Sequence, residues 1–128
     1  MQKNLNLTKE QEDVLFSGAT EAPGSGKLLH NTENGIYSCA NCGSELFMSN
    51  TKFDSGSGWP SFYKPKESDA VVLIKDSSLG MERVEAVCKT CGGHLGHVFD
   101  DAYDQPSGQR YCINSLSLSF KKDAKDKA

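Results

Sequence analysis

Five cysteines stand out as the residues able to do chemistry: two Cys-x-x-Cys pairs, Cys39/Cys42 and Cys88/Cys91, and one single thiol, Cys112. Each pair is followed directly by glycine, Gly43 and Gly92. Two thiols so spaced, before a residue free to take positive φ, form a knuckle in which both sulfurs face one ion and turn N–H groups point at them. Four thiolates close a tetrahedron, so the expected site is structural: one zinc ion held by Cys39, Cys42, Cys88 and Cys91, with no open position. Two alternatives compete with it. A pair of redox-active CxxC motifs would sit at the start of a βαβ helix, and neither pair does. Iron in the same sulfur cage is compatible with the spacing. Because the pairs lie far apart in the chain, the metal is expected to join distant segments and to supply a large part of the stability.

An odd cysteine count argues against a disulfide framework and leaves Cys112 as either inert core or a reactive group. In an extended segment Arg110, Cys112 and Asn114 share one face while Tyr111 and Ile113 share the other. A permanent cation beside a thiol favours the thiolate, which is the nucleophile. Arg and Asn are poor company for an apolar core, which weighs against a buried structural cysteine. The run His94-Leu-Gly-His97-Val-Phe99-Asp-Asp101 follows the second knuckle. Alternation puts His97, Phe99 and Asp101 on one face: an imidazole, an aromatic wall and a carboxylate able to orient the imidazole. Zinc ligation or a plain surface position are the other readings of these histidines, and His30 is incidental. Trp59, the sole tryptophan, lies in the glycine-rich Asp54–Phe62 segment. It is either a loop anchor or the wall of a small apolar pocket that glycines allow a ligand to approach.

Positioning these groups requires a β scaffold. Thr8, three residues before Gln11 and ahead of Val14-Leu15-Phe16, predicts a capped helix from about Lys9 to Phe16. Residues 17–35 read as an ordered connector without regular structure. Within it Gly24-Ser-Gly-Lys27 fails as a phosphate loop, because Glu21 and Leu28 occupy positions that need Gly and Ser or Thr. Short strands are predicted at Ile36–Cys39, Leu46–Met48, Val71–Lys75, Val84–Cys88, Gly96–Asp100 and Tyr111–Phe120. The expected fold is mainly β, with short antiparallel strands and a short N-terminal helix.

The 128 residues suit one domain at roughly 150 residues per domain, expected over residues 1–120, with 121–128 a flexible charged tail. Net charge is −3, and the tail carries +2 of its own, so residues 1–120 are acidic at −5. Such a body lacks the basic stripe that nucleic acid or an anionic membrane needs. No run approaches the ~18 apolar residues of a membrane span, and the polar start is unlike a signal peptide. The expectation is a cytoplasmic monomer.

Read in order, the two CxxCG knuckles, Gly-Ser-Gly-Trp-Pro-Ser-Phe at 56–62, Gly-Gly-His-Leu-Gly-His-Val-Phe-Asp-Asp at 92–101 and Arg-Tyr-Cys-Ile-Asn-Ser-Leu-Ser-Leu at 110–118 resemble the B-type methionine sulfoxide reductases from about Leu7 to Phe120. The resemblance implies two small antiparallel sheets, a structural zinc, and reduction of the R epimer of methionine sulfoxide, free or in oxidised proteins. It implies that Cys112 is the nucleophile, that His97 helps protonate the sulfoxide oxygen, and that Arg110 and Asn114 complete the catalytic group. By the same resemblance Trp59 receives the substrate's ε-methyl, and His94, Phe99 and Asp101 shape its pocket. Many family members carry a resolving cysteine where this chain has Ser57. The resemblance then implies that a sulfenic acid on Cys112 is reduced from outside, by thioredoxin or by glutathione with glutaredoxin. A non-catalytic zinc module or an iron–sulfur-cage electron carrier would account for the knuckles while leaving Cys112 and its neighbours without a purpose.

Overall fold

The computed structural model of the protein describes residues 6–77 and 83–122. Thr8 is extended, its hydroxyl accepts from the Gln11 N–H, and the Gln11 side chain accepts from the Thr8 N–H at 2.9 Å. This reciprocal capping box satisfies two N–H groups that a helix start otherwise leaves without partners. It launches α1 (Lys9–Ser17), which ends at Gly18 in the left-handed region and buries Val14 and Leu15. The helix spans the expected residues and one more.

The strands are β1 (Gly35–Cys39), β2 (Glu45–Met48), β3 (Lys52–Phe53), β4 (Ser61–Phe62), β5 (Val71–Asp76), β6 (Arg83–Cys88), β7 (His94–Phe99), β8 (Arg110–Ile113) and β9 (Leu118–Lys122). They form two antiparallel sheets, β2-β1-β9 and β3-β4-β8-β7-β6-β5, as the resemblance implied. The connector between α1 and β1 is residues 18–34, one residue shorter at each end than expected.

The segment expected as one strand, Tyr111–Phe120, is broken. After β8 the chain makes a 3-10 turn at Ser115–Ser117 and re-emerges as β9 in the other sheet. Buried polar groups hold the break: the Ser117 hydroxyl donates to the His94 carbonyl at 2.8 Å, and the Ser117 N–H to the Asn114 carbonyl at 3.0 Å. The Leu-Ser-Leu-Ser alternation runs straight through this turn, so period alone cannot reveal it. β9 also continues through Lys122, pairing Lys121 with Ile36 and Lys122 with Gly35, two residues into the segment expected as tail. The rest of that tail, 123–128, lies outside the described residues. The two-residue strands β3 and β4 were not expected, being too short for a period-2 signal.

The core joins the two sheets. Tyr37, Phe47, Leu46, Phe62, Leu95 and Ile113 are fully buried. Phe47 stacks on Phe62 at 4.4 Å between ring centroids, and Tyr37 meets Phe62 edge-on at 5.0 Å. Aromatic pairs of this kind add about 0.5–1.5 kcal/mol beyond their burial. Phe62, Tyr111 and Ile113 thereby anchor one face of β4 and β8. Among the described residues no helix is long and apolar enough to cross a membrane.

Candidate active site and metal centre

The two knuckles meet. Cys39 ends β1 and Cys88 ends β6, so each sheet contributes one pair. Each turn closes through a backbone bond, Gly43 N–H to the Cys39 carbonyl at 2.9 Å and Gly92 N–H to the Cys88 carbonyl at 2.7 Å. Both glycines have positive φ, 80° and 75°. The four Sγ atoms lie within 4.8 Å of one another; Cys39 and Cys91 are 3.7 Å apart and Cys42 and Cys88 3.5 Å. A tetrahedron with zinc–sulfur bonds of ~2.3 Å has edges of about 3.8 Å, so the cluster matches a metal cage. The chemistry of the donors agrees. The hydrogen bond between Cys39 and Cys88, then burial, pushes the Cys39 thiol up, and burial raises Cys91. The same bond brings Cys88 down to about 5. Four crowded sulfurs cannot all ionise unless a cation balances them, and a soft divalent ion does so.

Cys112 sits in mid-sheet, paired across β8 with Ser61 on one side and His97 on the other. It is 8% exposed. Strands β7 and β8 approach so closely here that a Cβ on Gly96 would overlap the Cys112 carbonyl oxygen. Arg110, Cys112 and Asn114 do share a face, and together they line a cavity of about 330 Å³ with Trp59, His97 and Phe99. Arg110 Nη1 donates to Cys112 Sγ at 2.7 Å. The guanidinium is itself fixed: Nε and Nη2 each reach the Asp101 carboxylate at 2.9 Å, and its carbon lies 4.4 Å over the Phe99 ring. Asp101 raises the Arg110 pKa, so the charge beside the thiol is permanent.

Two expected placements differ. Asp101 does not orient an imidazole, because β7 ends at Phe99 and the chain beyond turns its carboxylate to Arg110. The carboxylate at His97 belongs to Asp76, Oδ2 lying 2.9 Å from Nε2, and Asp76 also accepts from Arg83 at 3.3 Å. His94 lies behind the pocket: it is buried, its Nδ1 is 2.7 Å from Glu85 Oε2, and its ring meets that of His97 edge-on at 5.5 Å. It therefore supports His97 and contributes nothing to the cavity lining.

Sequence reasoning missed Asp76, Glu85 and Ser61. Asp76 and Glu85 reach the histidines only through the register of β5, β6 and β7, which no local pattern encodes. Ser57 Oγ and Ser61 Oγ lie 3.5 and 3.6 Å from Cys112 Sγ, and Ser55 bridges the two hydroxyls at 2.8 and 2.7 Å. Thr20 and Glu21 of the connector were also missed. Thr20 lines the cavity, and the Glu21 backbone contacts both Trp59 and Asn114.

Fold and site together define a small two-sheet domain, stapled by a four-cysteine cluster and built around one pocket thiol that an arginine guards. The SelR domain family matches residues 7–122, and the chain belongs to that family. It is 59% identical over 117 residues to the peptide methionine sulfoxide reductase MsrB of Methanosarcina mazei, covering 91% of this chain and 83% of the relative. The protein of the same name from Methanosarcina barkeri is 56% identical over 121 residues, 94% and 84% of the two chains. That of Escherichia coli is 51% identical over 115 residues, 90% and 83%.

Proposed function

We propose that the protein is a peptide-methionine (R)-S-oxide reductase. The carrying observation is the Arg110–Cys112 contact of 2.7 Å at the floor of a pocket walled by Trp59, Phe99 and His97. The names of the relatives agree with it.

In this reading the substrate's ε-methyl lies against the Trp59 indole and its sulfoxide sulfur faces Cys112 Sγ. Thiolate attack on sulfur is possible only as the oxygen becomes a better leaving group, so a proton from His97 reaches that oxygen as attack proceeds. Asp76 Oδ2, 2.9 Å from Nε2, holds the imidazole in place. A bond forms between Cys112 Sγ and the substrate sulfur; the protonated oxygen then passes from the substrate sulfur to Sγ as the sulfur–oxygen bond and the new sulfur–sulfur bond break, which leaves a sulfenic acid on Cys112 and releases methionine. Two electrons pass from the cysteine sulfur to the substrate sulfur. A chiral sulfur presents methyl, oxygen and chain in one arrangement that meets indole, acid and thiol together, which selects the R epimer.

Ser57 cannot form a disulfide, so two equivalents of an external thiol return the sulfenic acid to thiol, releasing water and a disulfide of the reductant. Thioredoxin or glutathione with glutaredoxin fits that need, and the reducing cytoplasm supplies both. Free and protein-bound sulfoxide are both substrates, and the enzyme acts as a monomer through one catalytic domain that takes in the β9 residues Lys121 and Lys122 as well as the expected 1–120. Zinc fits the four-thiol cluster, where it would be held by Cys39, Cys42, Cys88 and Cys91 and would supply a closed structural cross-link.

Turnover of the separated epimers with dithiothreitol tests the proposal. R but not S sulfoxide is consumed, and Cys112→Ser is inactive while keeping its fold and metal. Equal consumption of both epimers, or activity in that variant, contradicts it.

A further inference from the structure

We propose that Glu21 is a positioning residue that clasps both walls of the sulfoxide pocket, an inference that deepens the reading above and rests on it. Glu21 lies in the connector between α1 and β1, yet it is only 6% exposed. Its backbone acts in two directions. The N–H donates to Asn114 Oδ1 at 3.0 Å, and the carbonyl accepts from Trp59 Nε1 at 3.0 Å. One residue therefore spans two cavity-lining side chains that are far apart in the chain. The other end of the Asn114 amide donates to the Leu95 carbonyl at 3.0 Å, so that side chain is held at both ends.

The Glu21 side chain anchors this bridge. Oε1 accepts from the Leu116 N–H at 3.0 Å, within the 3-10 turn that directly follows Asn114. The carboxylate thus ties the connector to the same turn that presents the amide. Among the described residues Oε2 is buried without a hydrogen-bond partner, and Gly26 packs so closely that a Cβ there would overlap both this oxygen and Ser115 Oγ. A buried carboxylate oxygen without a hydrogen bond opposes folding, so net stability is a weak account of this residue. What the carboxylate secures is the relative placement of Trp59 and Asn114.

The test uses Glu21→Ala, Glu21→Gln and Glu21→Asp in the full chain. Trp59 is the sole tryptophan, so its fluorescence reports one wall of the pocket directly. Loss of the clasp in Glu21→Ala should raise KM for the R sulfoxide about tenfold with kcat changed less than about threefold, and shift Trp59 emission to the red. Alkylation of Cys112 should keep its wild-type rate, because the Arg110 contact is untouched. The Glu21→Gln amide oxygen still accepts from Leu116 and should restore both KM and emission. Glu21→Asp keeps the charge but is one methylene short; it should behave as alanine does and decides the matter if Glu21→Ala does not fold. A folded Ala or Asp variant with wild-type KM and emission overturns the proposal, as does a Gln variant as impaired as Ala. If the wild-type protein fails to reduce sulfoxide, the pocket reading falls and the emission comparison alone decides on the clasp.

Discussion

Arg110 Nη1 donates to Cys112 Sγ at 2.7 Å from two residues away on the same strand, while the rest of the guanidinium is occupied by Asp101 and Phe99. A strand places residues i and i+2 on one face, so this contact is a consequence of local geometry that the sequence already contains. The donor is charged, and charge-assisted bonds are about twice as strong as neutral ones. The cation is also aimed, since a guanidinium held at two edges and stacked on a ring has little freedom left.

Arg110→Ala should therefore slow both alkylation of Cys112 and sulfoxide reduction, with kcat/KM falling on the order of 100-fold. Arg110→Lys should rescue only a fraction, because an ammonium cannot hold Asp101 in a two-bond fork and reach the sulfur as well. Iodoacetamide kinetics and steady-state turnover measure the two effects separately. A lysine variant with full activity would show that charge alone suffices.

The Arg110 hydrogen bond holds the Asp101 carboxyl below the usual carboxylate range. A group depressed in the folded state stabilises above its unfolded pKa of about 3.9, and that stability is lost as pH falls through the lower folded value. Asp101→Asn should thus lower the melting temperature slightly near neutrality, by about 1–3 °C because the carboxylate is exposed, and the difference from wild type should vanish in strong acid. Melting curves across that range check it, and a difference that grows toward acid contradicts the sign.

Cys39 and Cys88 close the ends of β1 and β6, so a metal ion in the four-thiol cluster would hold the two sheets to one another. Metal analysis should find one zinc per chain. Chelation, or Cys88→Ser, should abolish the near-UV signal and lower the melting temperature by more than about 10 °C, since the binding energy of a structural zinc is folding energy. An apo form with native near-UV signal and melting point contradicts this.

The chemistry-bearing residues were legible where they depend on local rules. The knuckles follow from Cys-x-x-Cys-Gly, and the shared face of Arg110, Cys112 and Asn114 follows from the period of a strand. Groups that arrive through register were not. Asp76 and Glu85 reach His97 and His94 only because β5, β6 and β7 pair as they do. Asp101 was the carboxylate near in sequence, and it went to Arg110 because the strand ended two residues before it. The break at Ser115–Ser117 was hidden by the Leu/Ser alternation that spans it. Glu21 gave no signal at all, since a glutamate in a Gly- and Ser-rich connector reads as solvated.

In the proposed reaction Cys112 takes the oxygen, and no thiol within the chain removes it. Reduced protein given R methionine sulfoxide without any external thiol should form one equivalent of methionine. Intact-mass and peptide analysis should place one added oxygen, about 16 Da, on Cys112, trapped as a sulfenic acid adduct, with the four cluster cysteines unmodified and the metal retained. A disulfide between Cys112 and any cluster cysteine with release of the metal, or methionine formation by Cys112→Ser, would contradict the account.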